Sequence, residues 1–139
     1  RVGTGVVSGF LDTSMVVRYL VRDVPELAEQ AAAVIDGEED LWIIGVVLAE
    51  TSHVLRSTYH ISRQDVADQL IQFVRKTNIQ TYGLEKSLVL QGLLMCRPSA
   101  RVSFADALIW ASARSAGADV VYSLDQRFPS DGLEIRQTP

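Results

Sequence analysis

The chain has one cysteine, two histidines and four prolines in 139 residues. A single cysteine excludes an internal disulfide framework. Cys96 lies among Leu93, Leu94 and Met95, with no CxxC or Cys/His spacing that would read as a zinc or redox motif. Long hydrophobic runs are absent too. The longest, LWIIGVVLA at 41–49, is about half of the roughly 20 residues that a membrane span requires, and no signal peptide with a basic start precedes it. The chain is therefore expected to be soluble and cytoplasmic, with no membrane partner. Cations are the scarcer charge, 13 Lys and Arg against 17 Asp and Glu, which argues against a surface that holds nucleic acid by bulk attraction. What the chain does hold is 47% hydrophobic residues, enough for one domain to bury a core without staples.

Residues 1–8 begin the glycine-rich stretch VGTGVVSG. Its spacing is GxGxxxG and its glycines precede the first strand, whereas a phosphate loop follows one. Residues 1–8 are expected to be a flexible extension, and 9–139 a single domain. From there the patterns alternate. An apolar stretch from near Val6 through FLD (10–12) reads as a strand, and SMVVRYLV (14–21) continues as a helix. Pro25 suits the first turn of a second helix running to Ile35 before Asp36-Gly37. LWIIG (41–45) reads as a buried strand, followed by the helical LAETSHVLRSTY. Ser62 and Asp65 form a capping box ahead of the stripe Val66, Leu70, Phe73, Val74. IQTY (79–82) is a short strand, Leu84 to about Arg97 a helix closed by Pro98, and Ser103 opens a helix that Gly117 ends. DVVYS (119–123) and LEIRQ (133–137) complete the strands. Strands separated by helices imply an α/β fold built on a parallel sheet.

Four carboxylates break the apolar pattern. Asp106 is the only charged residue between Arg101 and Arg114, Asp12 the only one from Val2 to Val17, Glu50 the only formally charged one from Leu41 to Leu55, and Asp125 the only one from Val120 to Gln126. Each falls near the carboxyl end of an expected strand or early in an expected helix, and in an open parallel sheet those ends gather where ligands bind. Local structure offers a competing account. Asp106 follows Ser103 by three residues and completes a capping box, Asp12 is placed to cap the helix beginning near Ser14, and Asp125 to order a turn. Glu50 has no Ser or Thr three residues earlier, so capping does not account for it. Two carboxylates about 5 Å apart repel by roughly 3 kcal/mol at an effective dielectric near 20, so a convergent set must take up protons or bind cations. All-oxygen donors point to Mg²⁺ or Mn²⁺ rather than zinc. His53 and His60, seven positions apart on one helix, are about 10 Å apart, too far to share an ion, and read as packing or surface residues.

With these acids in this order, the sequence resembles the PIN-domain family, and within it the VapC-type toxins of toxin-antitoxin pairs. The matching pieces are FLDTS (10–14) with RYL (18–20), LAE (48–50), FADALIWASAR (104–114) and SLDQRF (123–128), so the resemblance runs from about residue 9 to the end. It implies a three-layer α/β/α sandwich with a parallel sheet of four to five strands. It implies an Mg²⁺-dependent (or Mn²⁺-dependent) endoribonuclease in which Asp12, Glu50, Asp106 and Asp125 are the catalytic, metal-holding acids, with Ser123 as a supporting hydroxyl. Water attack would leave a 5′-phosphate and a 3′-hydroxyl. Arg18, Arg22 and Arg127 are the candidates to offset the acids' repulsion of RNA. Such toxins are blocked by an antitoxin able to set an Arg against the acids, and homodimers are common. The glycine-rich start is longer than the family's usual one.

Two other readings remain in view. A receiver-type phosphoacceptor shares the size and an acidic pocket, but it needs paired acids after its first strand and a late Lys; Asp12 stands alone and no Lys follows Lys86. A catalytically silent PIN-like module that only docks a partner is the other.

Overall fold

The computed structural model describes residues 9–139, so the extension expected over 1–8 lies outside the described residues. The elements run β1 (Gly9–Phe10), α1 (Thr13–Val21), α2 (Pro25–Ile35), β2 (Leu41–Ile43), α3 (Gly45–Ser57), α4 (Arg63–Val74), β3 (Ile79–Thr81), α5 (Lys86–Met95), α6 (Phe104–Ser115), β4 (Val120–Tyr122) and β5 (Glu134–Arg136). The helix starts have identifiable causes. Ser62 and Ser103 cap α4 and α6 by accepting the backbone N–H of Asp65 and Asp106, and Pro25 opens α2, where a missing N–H costs nothing. The chain leaves α1 through Arg22 in the left-handed region, φ 58°.

The fold is α/β with parallel strands, as expected, but the strands do not form one sheet of four to five. Among the described residues they form a three-stranded sheet, β1-β2-β3, and a separate two-stranded sheet, β4-β5, both parallel. Among the described residues the edge that β1 offers is short. Its two residues pair with Leu41 and Trp42, and Gly9 has no side chain to pack against a further neighbour. β4 instead takes β5, in the register Val121 to Ile135.

Burial alternates along the larger sheet. Leu41, Ile43, Ile79 and Thr81 point into the core, whereas Phe10, Trp42 and Tyr82 cluster on the other side, with ring centroids 5.5 Å apart for Phe10–Tyr82 and 5.3 Å for Trp42–Tyr82. The core joins Val16, Ile35, Leu48, Leu55, Leu70, Phe73 and Leu93 to Trp110. Helices α5 and α6 make the most extensive helix–helix contact. It depends on Gly92, where a Cβ would stand 2.9 Å from the carbonyl oxygen of Ala107. That packing fixes α6, and α6 carries Asp106. No helix among the described residues is long and apolar enough to cross a membrane.

Candidate functional site

Asp12 follows β1 and caps α1. Its backbone is extended (φ −96°, ψ 175°), and Oδ1 accepts the Ser14 hydroxyl at 2.7 Å and the Met15 N–H at 3.1 Å. The Ser14 bond, then the Met15 bond, hold its pKa below the ordinary 3.8. A carboxylate depressed in the folded state adds stability that is fully present above its unfolded pKa and is lost as pH falls through the lower folded value. Stability is therefore expected to decline on acidification below about pH 4. Asp12→Asn, which still caps a helix well, should flatten that decline in thermal melts from pH 5 to pH 2; an unchanged profile would remove Asp12 from the account.

Glu50 lies in the second turn of α3, deeper in its helix than a capping position. Thr13 Oγ1 donates to its Oε1 at 3.2 Å, across 37 residues of chain. This bond ties the start of α1 to α3 one residue from Asp12, and it is the only long-range side-chain bond made by any of the four acids among the described residues.

Asp106 is the third residue of α6 and is half-buried. Its N–H donates to Ser103 Oγ at 3.0 Å, so the capping account holds for its backbone. Its carboxylate makes no hydrogen bond among the described residues, and capping leaves the side chain unexplained. The start of α6 faces α3 across a cleft of about 220 Å³, with Ala49, Ser52 and His53 on one wall and Ser103, Phe104 and Ala105 on the other. Glu50 and Asp106 each adjoin lining residues of this cleft in sequence.

Asp125 sits in the β4–β5 connection, and its bonds are local. Oδ1 accepts the Arg127 N–H at 2.8 Å and Arg127 Nε at 3.4 Å, the backbone N–H being the first cause of its lowered pKa. Ser123 Oγ accepts the Asp125 N–H at 3.0 Å. Ser123 and Asp125 line a cavity of about 350 Å³ with Arg101 and Gln126; Asp12, Glu50 and Asp106 do not line it. The expected basic residues are dispersed as well. Arg18 pairs with Asp23 at 3.0 Å. Arg22 lies over the Tyr19 ring, 5.0 Å from its centroid, at the far end of α1 from Asp12, about 15 Å away at 1.5 Å per residue. It lines a cavity of about 470 Å³ with Gln69, Gln72 and Lys76, remote from the acids. Arg127 alone accompanies one of them.

The structure thus links Asp12 to Glu50 through Thr13, sets Glu50 and Asp106 on helices that meet, and holds Asp125 in its own turn. Among the described residues no three His, Cys, Asp or Glu side chains stand close enough to hold one ion. The donor chemistry still suits a hard cation, because Mg²⁺ keeps several waters and is bound through one or two carboxylates, and Asp12 and Glu50 each keep one oxygen free of hydrogen bonds to the described residues.

Sequence reasoning missed Thr13, although its hydroxyl adjoins Asp12 in FLDTS. It also missed Arg63, whose position carried a signal: a cation in a helix's first turn opposes the macrodipole and so calls for another reason. That reason is tertiary. Arg63 Nη1 donates to the Val102 carbonyl at 3.0 Å, and the guanidinium lies over Phe104, 5.1 Å from the ring centroid, bracing the loop that launches α6.

Comparison with known proteins gives one family: the model of the PIN domain matches residues 9–130. No curated protein matches the chain.

Proposed function

From the premise that this chain belongs to the PIN-domain family, generally a nuclease fold, we propose that it is a divalent-metal-dependent endoribonuclease acting in the cytoplasm as the toxin of a type II, VapC-like toxin-antitoxin pair. The observation that carries the reading is the Thr13–Glu50 bond. It ties an acid from mid-helix, which no capping role explains, to Thr13, the residue that follows the acid at the tip of β1. Asp12 and Glu50 would hold Mg²⁺ (or Mn²⁺) directly, with Asp106 and Asp125 acting through its bound waters and Ser123 fixing the turn of Asp125. When bound, the ion supplies Lewis acidity, lowering the pKa of a water and neutralising charge on the phosphorus centre.

The chain's own residues do the remaining work. Thr13 fixes the rotamer of Glu50, Ser14 and the Met15 N–H keep Asp12 ionised, and the buried flanks of α6 hold Asp106 in place. Water oxygen bonds to phosphorus as the P–O3′ bond breaks and O3′ takes up a proton, giving a 5′-phosphate and a 3′-hydroxyl. Of the three expected cations Arg127 alone stands beside one of the four acids, while Arg18, paired with Asp23, and Arg22 lie further along α1. An antitoxin arm presenting an Arg to the acids would inhibit by direct charge neutralisation, and a homodimer is the proposed assembly.

Labelled RNA should be cut in Mg²⁺ and left intact in EDTA. Metal should also raise the melting temperature, since a ligand at 100 times its Kd stabilises by about 2.7 kcal/mol. A specific observation favours a second reading, the catalytically silent module: Asp12 and Asp125 both satisfy local backbone amides. No metal-induced shift together with no cleavage of RNA would select it.

A further inference from the structure

The cleft between α3 and α6 is cationic in a chain whose net charge is negative. Arg56, in the last turn of α3, and Arg63, in the first turn of α4, both line it. Arg56 acts on Arg63 as a like charge: the pKa of Arg63 is lowered first by burial and next by Arg56. Neither forms an ion pair with a carboxylate among the described residues, although the chain has 17 acids to offer.

The opposite wall is the amino end of α6, a 12-residue helix. The N–H groups of its first residues have no intrahelical partners, and its dipole favours an anion there. His53 completes the rim on the Glu50 side. Arg56 alone would be accounted for by its helix C-terminus. That account does not reach Arg63, which braces the loop before α6 through Val102 and Phe104 and brings a second cation to the same cleft without an acidic partner.

We propose that the cleft lined by Arg56, Arg63 and the amino end of α6 binds a backbone phosphodiester of single-stranded RNA, next to the one to be cut. The proposal rests on the nuclease reading for its choice of RNA over another anion, and on the cleft's adjacency to Glu50 and Asp106. It resolves a difficulty of that reading: acids repel RNA, and Arg18 and Arg22 are paired with Asp23 or stand at the far end of α1. A guanidinium can meet phosphate with two parallel N–H bonds; the exposed Arg56 offers that fork, while the half-buried Arg63, its Nη1 on the Val102 carbonyl, contributes charge.

The test is fluorescence anisotropy of a labelled single-stranded RNA in EDTA, where no cutting interferes, over a series of salt concentrations. Arg56→Gln should weaken binding about tenfold or more and reduce the slope of log K against log salt by about 0.7, the value of one phosphate contact on a single strand. Arg56→Lys, which keeps charge without the fork, should restore the slope and only part of the affinity. Arg56 is exposed, and circular dichroism with thermal melting confirms that the variants fold. Parental affinity and slope in Arg56→Gln would overturn the proposal. So would Arg56-dependent binding of poly-glutamate with none of RNA, which would mark an acidic protein's site. Wild-type protein that binds RNA through Arg56 yet never cuts it in Mg²⁺ would sink the nuclease reading while leaving the phosphate site standing.

Discussion

Asp106→Asn should reduce Mg²⁺-dependent RNA cleavage on the order of 10³-fold or more and leave the melting temperature near that of the parent. The two halves of this expectation come from different atoms. The residue's backbone N–H satisfies Ser103 Oγ and survives the substitution, as does the packing of its neighbours Ala107 and Leu108, which are 0% and 6% exposed. Its carboxylate makes no hydrogen bond to the described residues, so the fold loses no contact when one oxygen becomes an amide nitrogen. A carboxylate whose contribution to the fold is limited to its favourable place in the first turn of α6, on a helix held rigid by its other faces, is free to serve a cation. Asparagine keeps the shape and removes the charge that a hard divalent ion requires. Single-turnover cleavage of labelled RNA, paired with a melt, reads both halves. Parental cleavage would take Asp106 out of the site, and a collapse in melting temperature would show that the carboxylate had a structural duty after all.

The elements were legible in the sequence because their signals are local. Ser62 and Ser103 cap the helices they were expected to open, Pro25 begins α2, and the run at Leu41 is a buried strand. The acids were legible as anomalies for a related reason: a lone charge in an apolar stretch conflicts with the pattern around it. What stayed hidden was pairing at a distance. Nothing in DVVYS or LEIRQ announces that β4 would take β5 in a sheet of their own, because strand pairing depends on which edge is free, and among the described residues β1 offers only Gly9 and Phe10. Convergence of all four acids was over-read for a similar reason. Asp125 lies at the expected strand end, yet a turn two residues long, closed by the Arg127 N–H, satisfies its carboxylate locally. Proximity to a strand tip places a backbone; the hydrogen bonds on offer decide where its side chain goes. Thr13 and Arg63 show the converse, since their partners lie 37 and 39 residues away, beyond the reach of any periodicity.

Trp110→Ala should be the most damaging core substitution at the candidate site, at about 3–5 kcal/mol, which for a chain of this length lowers the melting temperature by roughly 10–20 °C. The indole is fully buried, and its N–H donates to the Asp131 carbonyl at 2.8 Å. Arg114 lies 5.3 Å from the ring centroid and donates to the same carbonyl at 3.0 Å. One side chain thus fills the core beneath α6 and clamps the connection that returns to β5. Asp106 lies one turn earlier on the same helix, so loss of the indole should free the acid's helix before it frees the rest of the chain. Trp110→Phe separates the two contributions. It keeps most of the ring volume, leaves the Asp131 carbonyl to Arg114, and should cost about 1–2 kcal/mol. Below its own melting transition it should retain cleavage, whereas the alanine variant should lose cleavage at temperatures where circular dichroism still reports helix. An alanine variant that melts with the parent would mean that α6 is held by Gly92 and its contact with α5 alone, and that the clamp at Asp131 is ornamental.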